Sequence, residues 1–342
     1  MNVVLCALFL LSGVIGAGFA SGRELVRFFA GHGPASGAAA LCALFVLYVL
    51  FLRLPAQLSR AGAPSLSALC RARFGKVFGM LCAALFFLLA AVTGGAMLAA
   101  CAELAALLVP IPHAYGIGLG ASLLAAALLT LLGVRGLAVP GALLAVIFPA
   151  LMALLLALPA GEACFLPAMA PDLPVRAMAD GALYGALNAA MLCGAMPMLL
   201  GLNARERRRC ALLFTALFGA LLLLGVQVCR RHLQAIWQQP MPFVWLCRAL
   251  GSGGYMLCAL SLYAAALSSL CAMVAALAQP LPRPAGILAA CAACLFFARV
   301  GFTRLVAGFY PVLGALCAAL MALLCLPLPA APEPDEAATR RP

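Results

Sequence analysis

Charge is what this chain has least of. Asp, Glu, Lys and Arg together make up 9% of its 342 residues, and Lys76 is its single lysine. Soluble domains carry about a quarter of their residues as charges, so a soluble fold would lack the polar surface to cover itself. The same scarcity excludes a disordered chain. A nucleic-acid-binding domain is excluded too, because the arginines lie between apolar runs instead of forming a basic patch. Histidine is also scarce. His32, His113 and His232 are too far apart in sequence, each in a short outer loop, to suggest a metal site. No HExxH, GxSxG or P-loop pattern and no pair of intramembrane aspartates is present, which argues against an enzyme and against nucleotide-driven transport.

What is abundant is apolar. The hydrophobic share is 67% and the mean hydropathy is +1.17. The 16 cysteines fall mostly inside apolar runs, where cysteine behaves as a small hydrophobe. Cys291 and Cys294 form a CxxC with no second pair or histidine near it, so neither a metal nor a redox role is assigned.

A membrane helix needs about 20 apolar residues, which allows ten spans in a chain of this length. Apolar runs occur at 2–29, 36–54, 77–109, 115–133 and 136–158, then at 178–202, 210–229, 254–278, 285–301 and 303–326. The first run has no basic leader and stays apolar as far as Phe28 and Phe29. It therefore reads as a retained helix and not a cleaved signal. The expected fold is an all-α membrane protein over 1–326, with a Pro-rich and acidic disordered tail at 327–342. If the amino terminus is inside, thirteen basic residues fall on the cytoplasmic side and six outside, with Arg23 and Arg27 within the first span. That asymmetry and the even number of spans place both termini in the cytoplasm.

Backbone in contact with lipid must be hydrogen-bonded, so a spanning helix breaks only inside protein or along a cavity. The first run holds Gly13, Gly16, Gly18 and Gly22 within Ser12–Gly22, and each glycine costs about 1 kcal/mol in a helix interior. Close packing through small residues is the alternative. It leaves unexplained why Arg23, Glu24 and Arg27 follow directly at membrane depth, where a charge is costly and marks function by default. The sixth run carries Tyr184, Asn188, Gly194 and Pro197, a second candidate break. Interrupted helices at matching places in two halves point to an inverted repeat with a solute site between them. The halves are about 1–158 and 178–326, and an odd five spans in each sets them in opposite orientations.

The segment Gly16-Ala17-Gly18-Phe19-Ala20-Ser21-Gly22-Arg23-Glu24-Leu25 resembles the GAGFASGxE signature of the YkvI-like bacterial membrane proteins. Leu183–Asn188, Gln239–Pro242 and Phe309–Gly314 are also similar. The resemblance implies the amino acid–polyamine–organocation superfamily, a LeuT-like five-plus-five repeat and a bacterial inner membrane. In sodium-coupled relatives of that fold, two adjacent hydroxyl residues complete a sodium site with first-helix carbonyls. Carried over, these are Ser12, Ile15, Ser268 and Ser269. The alternative for both serines is a bond back to their own helix.

Unwound backbone around Gly16, Ala17, Gly18, Phe19, Ser21 and Gly22 would present amides to a solute carboxylate at a positive helix end. Tyr184 and Asn188 need polar partners inside the membrane and are candidate solute ligands. Glu24 is the candidate for proton coupling or for pairing with a solute amine. A salt bridge to Arg23 or Arg27 is its structural alternative. Glu103 reads as lying near the outer interface, and Asp180 as capping the start of the sixth span. Residues Trp237 to Gly254 read as an outer loop or short re-entrant helix over the cavity.

These readings lead to a secondary transporter of a small solute such as an amino acid, coupled to Na+ or H+, with no other cofactor. Its partners are the solute and the lipid bilayer. A non-transporting sensor of the same fold and a membrane assembly factor are the alternatives.

Overall fold

The computed structural model describes residues 3–109, 111–132, 138–159, 174–278 and 282–326. The expected tail at 327–342 lies outside them. Within the described residues the chain is helical throughout, with no strand. Six helical stretches are long and apolar enough to cross a membrane: Ala30–Arg60, Leu66–Leu108, Ala114–Leu131, Ala204–Arg231, Pro242–Ala278 and Phe302–Cys325. Ile147–Ala157 and Pro284–Ala298 are shorter and equally apolar.

The first run is not one helix. Helix α1 (Val3–Val14) stops, α2 (Ala17–Ala20) makes a single turn, and α3 (Arg23–Phe28) restarts at a new angle. Next come α4 (Ser36–Arg60), α5 (Leu66–Leu108), α6 (Ala114–Leu132) and α7 (Ala138–Ala157). Helix α5 begins well before its apolar run, capped by the Ser65 side chain, which accepts from the Ala68 amide. It turns at Gly75, whose φ of 85° only glycine adopts cheaply. Helix α8 (Pro174–Met191) then runs into a 3-10 segment at Leu192–Gly201. So the second candidate break tightens its winding and does not open into extended backbone.

Helix α9 (Ala204–Arg231) opens with a capping box, Asn203 accepting from the Glu206 amide and Glu206 reaching back. Two short helices follow, α10 (Leu233–Ile236) and α11 (Pro242–Cys247). The chain then continues through α12 (Gly251–Ala278), α13 (Arg283–Ala298), α14 (Phe302–Arg304), one π turn at Leu305–Phe309 and α15 (Tyr310–Cys325).

Helix α4 packs on α8 and α9; α1 packs on α7 and α9; α15 packs on α8. Helix α5 packs against α6, α12 and α13, and α12 against α6 and α13. Small residues permit the closest of these contacts. Gly181 and Gly185, one turn apart on α8, bring it onto the carbonyls of Ala39 and Ala43 of α4. A methyl group at either glycine would overlap those carbonyls, the close approach that small-xxx-small patterns allow between membrane helices.

Candidate functional site: a broken helix with a buried carboxylate

The first interruption falls at Ile15 and Gly16. The Gly16 amide bonds the Val14 carbonyl at 2.7 Å, so it does not continue the helical ladder onto Ser12. Gly16 itself is extended, with φ −88° and ψ −178°. The next amide, that of Ala17, donates to the thioether Sδ of Met97 on α5 at 3.1 Å. The second interruption is the turn at Ser21 and Gly22, where Gly22 has φ 82°. A side chain there would be strained by that φ and would press on the Phe243 ring.

Glu24 sits on the first turn of α3 and folds back toward the break. Its carboxylate lies against Gly18, where any Cβ would overlap it. Its Oε2 accepts a hydrogen bond from the Tyr184 hydroxyl of α8 at 3.0 Å, and the residue is 6% exposed. Neither neighbouring arginine reaches it. Arg23 Nη1 donates to the carbonyls of Trp237 (2.9 Å) and Gln239 (3.3 Å), and Arg27 is exposed with its guanidinium over the Phe28 ring. The salt-bridge role expected for those arginines is therefore not the one they play. Among the described residues no cation stands beside the buried Glu24 carboxylate, an arrangement that calls for a proton or a cationic ligand.

Tyr184 is enclosed by Phe28 and Phe29, at ring separations of 5.3 and 5.0 Å. Asn188, one turn on, donates its Nδ2 to the Tyr184 carbonyl at 2.9 Å and shares the buried face. Phe19 points elsewhere, into an aromatic row with Phe148 of α7 and Phe218 of α9. Ser21 Oγ accepts from the Arg23 amide and donates to the Gly18 carbonyl. The amides of Ala20, Ser21 and Gly22 all donate to carbonyls within the break.

The two serines of α12 part company. Ser268 Oγ donates to the Ala265 carbonyl of its own helix at 2.9 Å. Ser269 Oγ is buried without a hydrogen-bond partner and faces Gly16, 3.3 Å from where a Cβ on that glycine would stand. One further residue differs from its sequence reading. Asp180 lies inside α8, because that helix begins at Pro174, and its carboxylate meets His32 Nε2 at 3.1 Å. Glu103 is only partly exposed on α5, with the Phe302 backbone as a hydrogen-bonding neighbour.

The short helices α10 and α11 cover the break. Besides the Arg23 bonds, the Phe243 amide donates to the Ser21 carbonyl at 2.9 Å. Phe243 also meets Phe148, at a ring separation of 6.0 Å, at the end of the aromatic row that holds Phe19. Met97 and Thr93 had no signal in the sequence, and Tyr310 had one only as part of the similar segment Phe309–Gly314. Each is an ordinary residue of an apolar run, and only the packing of α5 and α15 brings it to the break.

No protein-family model matches the chain, and no curated protein matches it. Among solved structures the chain is similar to the one titled "Inward facing conformation of Mhp1". That likeness has a TM-score of 0.63 at 13% identity and covers 94% of this chain and 75% of that one. This chain has the fold of that structure, a LeuT-like fold, and is a multi-pass helical membrane protein.

Proposed function

We propose that the chain is a secondary transporter of a small solute. In this reading it works by alternating access around the broken first helix, as a five-plus-five inverted repeat in a bacterial inner membrane with both termini cytoplasmic. The observation that carries it is Glu24, a buried carboxylate on an interrupted helix. Interrupted helices at membrane depth occur where they line a binding site.

The packing supports the repeat. Pairing α1, α4, α5, α6 and α7 with α8, α9, α12, α13 and α15 in order exchanges one contact for another. The contact of α1 with α9 becomes that of α8 with α4, and α1 with α7 becomes α8 with α15. Likewise α5 with α13 becomes α12 with α6, and α5 with α6 becomes α12 with α13. The contacts of α5 with α12 and of α4 with α9 map onto themselves. Likeness of fold to Mhp1 supports the transporter reading at the same coarse level.

Within this reading Gly16, Ala17, Gly18, Ser21, Gly22, Tyr184 and Asn188 surround the solute path, and Phe19 packs away from it in the aromatic row. Glu24 carries the coupling proton or the solute's charge. The carbonyls of Ser12 and Ile15 with the Ser269 hydroxyl form the sodium alternative, to which Ser268 contributes less because its hydroxyl is already committed.

Reconstitution into liposomes tests the proposal. With an imposed sodium or proton gradient, the wild-type protein should accumulate one solute of a metabolite panel, and Glu24→Gln should not. A solute that binds without any flux would replace transport with sensing.

A further inference from the structure

Helix α9 gathers cations at its unfavourable end. Arg205, Arg207, Arg208 and Arg209 fill its first turns, where the helix dipole is positive and opposes a cation. Arg205 also stands one turn from Arg208 and Arg209, and like charges at that spacing repel. The single acid among them gives no relief, because Glu206 Oε2 accepts from the Asn203 amide at 3.0 Å in the capping box. Among the described residues none of the four arginines forms an ion pair, and Arg205, Arg208 and Arg209 are exposed. Arg230 and Arg231, at the far end of the same helix, sit where the dipole favours them. Topology asks for basic residues at one end of a span, and the loop before α9 would serve that need without such repulsion.

Helix α4 brings a further cation to the same end. The Phe51 ring lies 5.1 Å from the Phe214 ring, and Leu44 lies 3.0 Å from where a Cβ on Gly219 would stand. The two helices therefore run antiparallel, residue numbers rising on one as they fall on the other. Continued to the ends, that register sets Arg60, the exposed last residue of α4, level with Arg205.

Beyond the arginines the exposed face of α9 is apolar. Leu212 is 59% exposed, and Ala216, Ala220 and Leu223 continue the stripe at helical spacing. From Arg209 to Arg230 the helix rises about 32 Å, close to the roughly 30 Å of a bilayer's hydrocarbon core. The arginines thus stand at headgroup depth, with acyl-chain depth directly beyond them.

Each cation of this group is an arginine, whose paired N–H donors match phosphate oxygens. A ligand that satisfies both the cations and the apolar stripe joins a phosphate to long acyl chains. Zwitterionic lipid carries its own cation beside that phosphate, so the unrelieved charge selects a headgroup of net negative charge.

We propose that Arg60, Arg205, Arg208 and Arg209 bind the headgroup of an anionic phospholipid whose acyl chains lie along the exposed stripe of α9. This surface is on the lipid-facing side of α9, and its ligand is independent of whether the break around Glu24 carries a solute.

The probe is dioleoylphosphatidylglycerol, titrated in mixed micelles into the full-length protein at low salt and read by thermal shift. Dioleoylphosphatidylcholine, with the same acyl chains, and glycerol 3-phosphate, with the phosphate alone, are the comparisons. Phosphatidylglycerol should raise the melting temperature saturably, the other two should not, and sodium chloride should weaken the effect. An arginine near an anionic surface is worth about fivefold in affinity. Arg60→Gln should therefore bind about fivefold more weakly, and Arg205→Gln with Arg208→Gln and Arg209→Gln about a hundredfold more weakly. Because like charges are removed, that triple variant should melt no lower than the wild type without lipid. Arg230→Gln with Arg231→Gln should keep wild-type affinity. Equal stabilisation by phosphatidylcholine, no shift of the wild type, or wild-type affinity in both Arg60→Gln and the triple variant would overturn the site. Equal losses at the two ends of α9 would reduce it to overall charge, and an equal shift by glycerol 3-phosphate would replace the lipid with a soluble phosphate.

Discussion

The Tyr184 hydroxyl donates to Glu24 Oε2 at 3.0 Å, joining α8 to the broken first helix through one buried hydrogen bond. Both residues are shielded from water, and Tyr184 is wedged between Phe28 and Phe29. A bond to a charged group in such surroundings is worth about 1.5–3 kcal/mol. Any ligand that enters the break therefore meets a carboxylate already oriented by the other half of the molecule.

Tyr184→Phe should leave the ring packing intact and the carboxylate without its donor. We expect a loss of stability of about 1–3 kcal/mol, seen as a lower melting temperature, and a larger proportional loss of solute affinity. A variant that matches the wild type in both would show that the bond does nothing.

Gly18→Ala places a methyl group where the Glu24 carboxylate lies. The residue sits in the single helical turn of α2, so alanine suits its backbone and the collision is the main effect. Solute affinity should fall at least tenfold while the protein still purifies as a folded species. Titration by thermal shift in parallel with the wild type measures this.

Gly181→Ala tests the packing of α8 on α4, one turn before Tyr184. The added methyl overlaps the Ala39 carbonyl across the closest contact of α4 and α8. Overpacking of this kind costs about 1–3 kcal/mol. The melting temperature should drop, and affinity should change less than in Gly18→Ala. The opposite ranking would mean that α4 and α8 yield freely to one another.

Much of the site was legible because glycine and charge are rare in membrane helices and stand out against leucine and alanine. The interruption between Gly16 and Gly22 and the inward role of Glu24 follow from that contrast. The partners of Glu24 were half legible: Tyr184 carries a polar group that must be satisfied, but its bond to a residue 160 positions away depends on how α8 meets α3. Met97 and Thr93 were not legible at all, since a thioether or hydroxyl in an apolar run says nothing about which neighbour it will face. Asp180 was misread as a cap because Pro174, a good first-turn residue, starts α8 earlier than the hydropathy does. At the second candidate break α8 passes into 3-10 winding over Leu192–Gly201, a form that Gly194 and Pro197 do not specify on their own.

Ser268 and Ser269 allow a sharp comparison, because only Ser269 Oγ is free and faces Gly16. If sodium binds between α12 and the break, Ser269→Ala should abolish sodium-dependent stabilisation and Ser268→Ala should leave most of it. Melting curves in sodium and in choline distinguish the two. Equal effects from both substitutions would remove the sodium alternative based on Ser269.

Arg23 fastens the segment with α10 and α11 to the break through the carbonyls of Trp237 and Gln239. Arg23→Gln should loosen α10 and α11, exposing the buried Cys247 at the end of α11. Faster alkylation of the peptide containing Cys247, followed by mass spectrometry in membranes, is the expected outcome. An unchanged rate would mean that the Phe243 amide bond to Ser21 holds the segment closed alone.

That the break around Glu24 is a solute site is tested most directly by thermal stabilisation of the purified protein across a panel of amines, amino acids and neutral metabolites. Wild type and Glu24→Gln are run side by side, in sodium and in choline. A ligand at about 100 times its dissociation constant stabilises a fold by roughly 2.7 kcal/mol, a readily measured shift. We expect at least one solute to stabilise the wild type and the same solute to leave Glu24→Gln unmoved. Identical stabilisation of the two proteins, or no stabilisation of the wild type by any solute, would contradict the assignment.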